Sequence, residues 1–231
     1  MCGRWGYLPM NALTGFSAFL MPPPAADRSA VRAPSRAKRG LDLVLVALAV
    51  PVLVPLVLAI ALAIKVTSRG PVFFRQTRVG QGGQPFGMVK FRSMVVDAEA
   101  RRAEVLGQSD RAGLCFKAKD DPRVTRVGRI LRRASLDELP QLFNVVKGEM
   151  SLVGPRPALP EEVAAYPVAA LERLAVLPGI TGPWQVAGRA TLGFDEMVAL
   201  DIGYVRSATL ATDMAILAKT VRAVASGRGA Y

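Results

Sequence analysis

The stretch Leu43 to Ile64, LVLVALAVPVLVPLVLAIALAI, carries no charged side chain, and it sets the terms for everything else this chain can fold into. A helix rising 1.5 Å per residue needs about 20 apolar residues to match the hydrocarbon core of a bilayer, and this run supplies them. Pro51 and Pro55 lie one turn apart in its middle. Each removes an amide donor and crowds the carbonyl four residues earlier, so a sharp bend is expected there. Both ends are basic: Arg36, Lys38 and Arg39 precede the run, and Lys65 and Arg69 follow it. The positive-inside rule then keeps both ends on the cytoplasmic side. A re-entrant helix that dips into one leaflet and returns satisfies both features. A kinked transmembrane helix satisfies the first, since prolines are tolerated in spans. The residues leave both open. Asp42, at the start, is expected to sit against the helix N-terminus or to pair with an arginine.

The remainder of the 231 residues has room for one sizeable domain, or at most two small ones. A formal charge of +12 points to an anionic partner: nucleic acid, acidic lipid headgroups or a phosphorylated substrate. A merely solubilising surface is the plainer alternative. The absence of histidine excludes Ser-His-Asp triads, Cys-His dyads and His-ligated metals. Cys2 and Cys115 make neither a zinc site nor a disulfide framework, which fits a reduced cytoplasmic setting. Chemistry must therefore come from carboxylates, lysines, arginines, hydroxyls and a hard, oxygen-bound cation such as Mg²⁺. Residues 1–37 contain Pro22-Pro23-Pro24 and scattered arginines, and read as a flexible basic tail. Leu13 to Met21, behind Arg4, lacks the long apolar core of a signal peptide.

Past the apolar run, Pro71–Arg78 (PVFFRQTR) and Pro85–Met94 (PFGMVKFRSM) flank Gly80, Gly82 and Gly83 and predict a β-hairpin. These glycines match neither a P-loop nor a dinucleotide fingerprint. Lys90 and Arg92 on the second run are either exposed strand residues or phosphate contacts. Val96–Leu106 predicts a charged, solvated helix. Arg123–Arg133 (RVTRVGRILRR) predicts a basic amphipathic helix with Val124, Val127, Ile130 and Leu131 on one side, able to lie at an anionic membrane surface. Phe194–Arg206 and Thr212–Ala225 predict terminal helices, with Tyr204 in a core role, Asp213 as a cap and Gly227 as the stop.

Two readings compete at Ser135-Leu136-Asp137-Glu138. In one, Ser135 and Glu138 form a capping box and Asp137 complements the helix dipole. Pro140 opposes that, because its ring would crowd the Leu136 carbonyl; a helix beginning at Pro140 avoids the conflict and frees both acids for a ligand. Adjacent carboxylates repel, and a shared cation or nearby arginines lets both stay ionised. Arg126, Arg129, Arg132 and Arg133 lie just upstream. Mg²⁺ is held by one or two carboxylates plus substrate phosphates, and an ionised aspartate can attack phosphorus. Downstream, Gly154-Pro155-Arg156-Pro157 predicts a rigid turn. Pro178–Arg189 (PGITGPWQVAGR) is a Gly-rich loop whose Trp184 could stack on a base but is expected at a lipid interface or in simple packing.

Taken together, SLDELPQLFNV, SLVGPRP, PGITGPWQV and the KFRSM segment resemble the bacterial sugar transferases, the small monotopic phosphoglycosyl transferases, from about Lys38 to the C-terminus. The resemblance implies a mostly helical α+β, monotopic membrane protein with a re-entrant membrane helix at residues 38–66, a small β-hairpin and amphipathic interfacial helices. It further implies a cytoplasmic-face catalytic domain at residues 67–231 with no domain beyond it. The family's Ser-Pro pair at the helix break is here Val54-Pro55. The implied reaction moves a phosphosugar from a nucleoside diphosphate sugar, expected to be a UDP-sugar, to polyprenyl (undecaprenyl) phosphate at the bacterial inner membrane. This is the first membrane step of exopolysaccharide or other glycoconjugate synthesis. Carried over, Asp137 is the nucleophile, Glu138 the Mg²⁺ ligand with Asp137 beside it, and Arg132, Arg156, Lys90 and Pro155 the substrate-binding residues. Anionic lipid is an expected partner. Nucleic acid is not, because no reader motif is present and the acidic pair would repel phosphates without a metal. A non-catalytic scaffold is the rival class, and a homodimer stays open because the sequence does not fix oligomeric state.

Overall fold

The computed structural model describes residues 31–101, 121–188 and 192–226. The first element, α1, runs as one helix over Arg36–Thr67 with both prolines inside it. Ser35 caps its start by accepting from the Lys38 amide at 3.1 Å. It is the one helix among the described residues long and apolar enough to cross a membrane. Its two ends are fastened to the body and its middle is not. Near the start, Val46 packs with Met88, Val145 and Met150. Near the finish, Ile60 and Ile64 pack with Phe91 and Leu131. Between them Leu48, Val50, Val52, Val54 and Leu58 are exposed, as are both proline rings.

Asp42 departs from its expected partners. It is buried and accepts from Ser151 Oγ at 2.7 Å and the Leu152 amide at 3.3 Å, so a strand end, not an arginine, satisfies it. Lys38 reaches further, bonding Asp213 at 2.6 Å; Tyr204 gives its phenol proton to the same carboxylate at 2.6 Å. Asp213 is thus a buried anchor for α1 and not a helix cap; the cap contacts come from Thr209 and Thr212.

The hairpin forms as the glycines foretold. Strands β1 (Phe73–Val79) and β2 (Pro85–Phe91) pair antiparallel, Phe73 opposite Phe91 and Val79 opposite Pro85. The connection passes through Gly82 and Gly83 at φ 63° and 79°, a left-handed geometry that favours glycine. The charged helix expected at Val96–Leu106 is not seen: residues 96–101 form turns with one exposed Asp97–Arg101 pair, and the rest lies outside the described residues. Helix α2 spans Arg126–Arg133, shorter than expected, because Thr125 caps it by accepting from Gly128 N–H at 2.9 Å. Arg123 therefore falls outside it, buried against Asp121 at 2.7 Å. Leu131 faces inward, whereas Ile130 sits outside with the arginines.

Neither predicted helix start holds at the acidic pair. Ser135 adopts φ 55° with no side-chain cap, Leu136–Gln141 coil as a 3₁₀ segment containing Pro140, and α3 begins only at Leu142 and ends at Lys147. The tighter winding accommodates a proline that an α-helix begun at Ser135 would reject. Asn144 clips α3 to the hairpin, accepting from Val89 N–H at 3.1 Å and donating to the Gly87 carbonyl at 2.9 Å. A pairing not anticipated follows: β3 (Ser151–Val153) runs parallel to β4 (Gly179–Thr181). Short helices α4 (Pro160–Ala164) and α5 (Pro183–Ala187) and a 3₁₀ stretch at Val168–Ala175 connect to the longer α6 (Phe194–Ser207) and α7 (Leu210–Ser226); Gly227 lies outside the described residues. Trp184 is buried with Met197, Leu192 and Phe194, which is packing and not a lipid interface.

Candidate active site

The 3₁₀ segment, the β2 strand and α2 meet around a cavity of about 770 Å³. Asp137 and Glu138 line it, with Lys90, Arg132 and Arg156. Each cation arrives by a different route. Lys90 stands near the end of β2 and bonds Glu138 at 2.8 Å. Arg132 stands on the last turn of α2, and its Nε donates to Ser93 Oγ at 3.0 Å. Helix α2 approaches that strand end so closely that a Cβ on Gly128 would lie 1.9 Å from the Ser93 carbonyl oxygen. Glycine is what lets Arg132 arrive. Arg156 is delivered by the turn after β3, whose backbone is held by Gly154 N–H on the Thr181 carbonyl and Gly179 N–H on the Pro155 carbonyl, both 2.9 Å.

The carboxylates are adjacent in sequence but unlike in surroundings. Asp137 is buried, and burial pushes its carboxyl above the usual range; the Glu138 charge adds to this, while Lys90 and Arg132 oppose it. Burial also acts on Glu138, but Lys90, Arg156 and Arg78 outweigh it and hold that carboxyl below the usual range. Two acids with diverging proton affinities in one cavity are an arrangement found where chemistry is done. Burial lowers the Arg132 guanidinium, with Asp137 partly compensating.

Pro155 is not brought into this cavity. It is buried and lines a separate small crevice with Tyr166 and Arg173, fixing the backbone of the turn. Of Arg126, Arg129, Arg132 and Arg133, Arg132 alone lines the cavity, and the other three are exposed. Arg92 is buried and donates to the Ser68 and Arg69 carbonyls at the end of α1. Sequence reasoning missed Arg78, Ser93 and the Asp121–Arg123 pair, all of which line the cavity. Nothing in the alternation of β1 marks Arg78, since its importance depends on what folds over it.

No cluster of three or more acidic, cysteine or histidine groups converges among the described residues. Two carboxylates beside a cavity able to take phosphate oxygens still fit a Mg²⁺ site, because that ion keeps waters and substrate oxygens for its other positions.

Residues 33–227 match the family model described as bacterial sugar transferase. The chain is 40% identical over 198 residues to the exopolysaccharide production protein ExoY of Sinorhizobium fredii, covering 84% of this chain and 88% of that one. It is 41% identical over 202 residues to the UDP-glucose:undecaprenyl-phosphate glucose-1-phosphate transferase of Caulobacter vibrioides, covering 84% and 72%. Against the galactosyl transferase CpsE of Streptococcus agalactiae it is 46% identical over 162 residues, covering 70% of this chain and only 36% of that longer protein. A match over most of the chain, with the acidic pair and Arg156 of the Pro-Arg-Pro turn at one cavity, makes this chain a member of the bacterial sugar transferase family.

Proposed function

We propose that this chain moves a sugar-1-phosphate from a UDP-sugar to undecaprenyl phosphate, in exopolysaccharide synthesis, through a covalent intermediate on Asp137. The observation that carries the reading is the pair Asp137–Glu138 facing a cavity edged by Lys90, Arg132 and Arg156. In the first step an ionised Asp137 oxygen attacks the phosphorus bearing the sugar. The bond to the bridging oxygen breaks, and uridine monophosphate leaves with that oxygen. In the second step a phosphate oxygen of the lipid attacks the same phosphorus, the bond to Asp137 breaks, and the carboxylate returns. Arg132 and Arg156 bind the diphosphate oxygens, where a planar fork suits them. Lys90 balances Glu138 while the cavity is without substrate and turns to phosphate when it fills. Asp137 and Glu138 are the residues that would hold Mg²⁺, which when bound offsets diphosphate charge. Holding the acceptor at a membrane-anchored site replaces a three-dimensional search by local positioning.

In this reading residues 38–66 are a re-entrant membrane helix, residues 67–231 a catalytic domain on the cytoplasmic face, and residues 1–37 a basic tail. Docking of both ends of α1 on one body supports re-entry, since a span would carry its ends to opposite sides. Exposed Ile130 beside Arg126, Arg129 and Arg133 on α2, and exposed Phe143 and Val146 beside Lys147 on α3, support contact with anionic lipid.

The test is to incubate the protein with UDP-sugar labelled in the sugar, without lipid acceptor, and to measure label bound to protein. Wild type should trap phosphosugar, and Asp137→Asn should trap none. Undiminished trapping by the variant would defeat the assignment. Released uridine monophosphate, scored over a panel of UDP-sugars, identifies the donor.

A further inference from the structure

Arg78 lies on β1 with its side chain almost wholly buried, yet no carboxylate lies within ion-pair distance of it among the described residues. Of the other buried arginines, Arg123 and Arg173 each hold an aspartate within 2.7 Å, and Arg92 is engaged by the Ser68 and Arg69 carbonyls at the end of α1. A buried cation left without a counter-ion is costly, and where it lines a cavity the usual remedy is an anionic ligand. Arg78 lines the large cavity beside Glu138 and Arg156.

Its donors are only partly used. Nε and Nη2 each donate to Gln76 Oε1, at 3.1 and 2.7 Å, and Nη1 donates to the Pro157 carbonyl at 3.1 Å. A guanidinium has five N–H groups, so one remains on each terminal nitrogen for a further acceptor. Gln76 and the Pro157 carbonyl fix the plane of the fork before any ligand arrives, which lowers the ordering cost of binding. Burial, and then the nearby Arg156 charge, bring the guanidinium down to about 10, against opposing pulls from Glu162, Glu138 and Glu161. It stays charged at neutral pH, with glutamates near it but none bonded to it among the described residues.

We propose that Arg78 is a further substrate-binding residue, forming with Arg156 a paired guanidinium clamp for a diphosphate on the Glu138 side of the cavity. Because the same side chain grips the Pro157 carbonyl, it also sets the turn that presents Arg156. The inference rests on the reading of this cavity as a diphosphate site. The rival is a purely structural bolt between β1 and the turn.

The experiment measures binding of inorganic pyrophosphate, with Mg²⁺, to the full detergent-solubilised chain by calorimetry, with thermal midpoints alongside. Arg78→Gln keeps a polar amide but removes the charge and the fork; Arg78→Lys keeps the charge alone. Arg78→Gln should bind pyrophosphate about tenfold more weakly or worse, with its midpoint little changed, and Arg78→Lys should fall between it and wild type. Pyrophosphate affinity within twofold of wild type in Arg78→Gln would overturn the clamp. If Arg78→Gln does not fold, Arg78→Lys decides alone: weakened binding by folded protein upholds the clamp and unchanged binding removes it. Wild type failing to bind pyrophosphate would refute the diphosphate reading of the cavity itself, whereas binding retained by the variants refutes only Arg78.

Discussion

At single side chains, burial and neighbouring charge set proton affinity in opposite directions. Asp201 is fully buried against Arg173 at 2.6 Å, but its Oδ1 has no partner among the described residues, and burial pushes its carboxyl up to about 6. Below about pH 4 the folded and unfolded chains both hold that proton, and Asp201 has no effect on their balance. As pH rises toward 6 the unfolded chain releases its proton first, so the folded state loses stability across that window, by about 3 kcal/mol in all. Comparing urea midpoints of wild type and Asp201→Asn between pH 4 and 7 should show the wild type losing ground to the variant as pH rises. A difference that moves the other way would mean that Arg173 outweighs burial and holds Asp201 ionised. The Asp137–Glu138 pair follows the same logic, with surroundings and not residue type setting each proton affinity.

Helix α2 and the 3₁₀ segment after it act as one delivery arm. Gly128 lets α2 rest on the Ser93 backbone, Ser93 Oγ orients Arg132, and Ser135 at φ 55° turns the chain so that the next residues face the cavity. Gly128→Ala should cost about 1–3 kcal/mol of stability by overpacking. It should also lower kcat/KM by roughly 10- to 100-fold, because α2 must retreat and carry Arg132 with it. Steady-state kinetics with a thermal midpoint on the same sample checks both, and a variant that loses stability without losing kcat/KM would show that Arg132 does not depend on this approach. The acidic pair, its spacing and Pro140 were plain in the sequence. The winding was not, because 3₁₀ and α starts share the same local residue preferences and differ only in what packs above them.

Taken whole, the molecule is a body that holds an apolar helix by both ends. Lys38 and Asp42 fix the start of α1 to Asp213 and to the β3 strand that leads into the Pro-Arg-Pro turn; Phe91 and Leu131 hold its finish beside the acidic segment. The apolar helix and the cavity therefore share supports. In a Cys2→Ser, Cys115→Ser background, single cysteines at Arg36 and Lys65 should both react with a membrane-impermeant thiol reagent from the cytoplasmic side of inverted vesicles. Labelling of the two from opposite sides would establish a span and end the re-entrant reading.

By itself the sequence determined what depends on neighbours along the chain: an uncharged helix of bilayer length, a hairpin closed by glycines, a basic helix, an acidic doublet and a proline-stiffened turn. Only the tertiary structure decided which cations face the doublet. It chose Arg132 from a run of four arginines, drew in Arg78 from a strand and sent Pro155 behind the turn. It also matched Asp42 with Ser151 and Lys38 with Asp213 across more than a hundred residues of chain. Residue order records period and turn chemistry, which act over a few positions. Whether a guanidinium finds phosphate, carbonyl or water depends on distances that exist only once distant segments have packed.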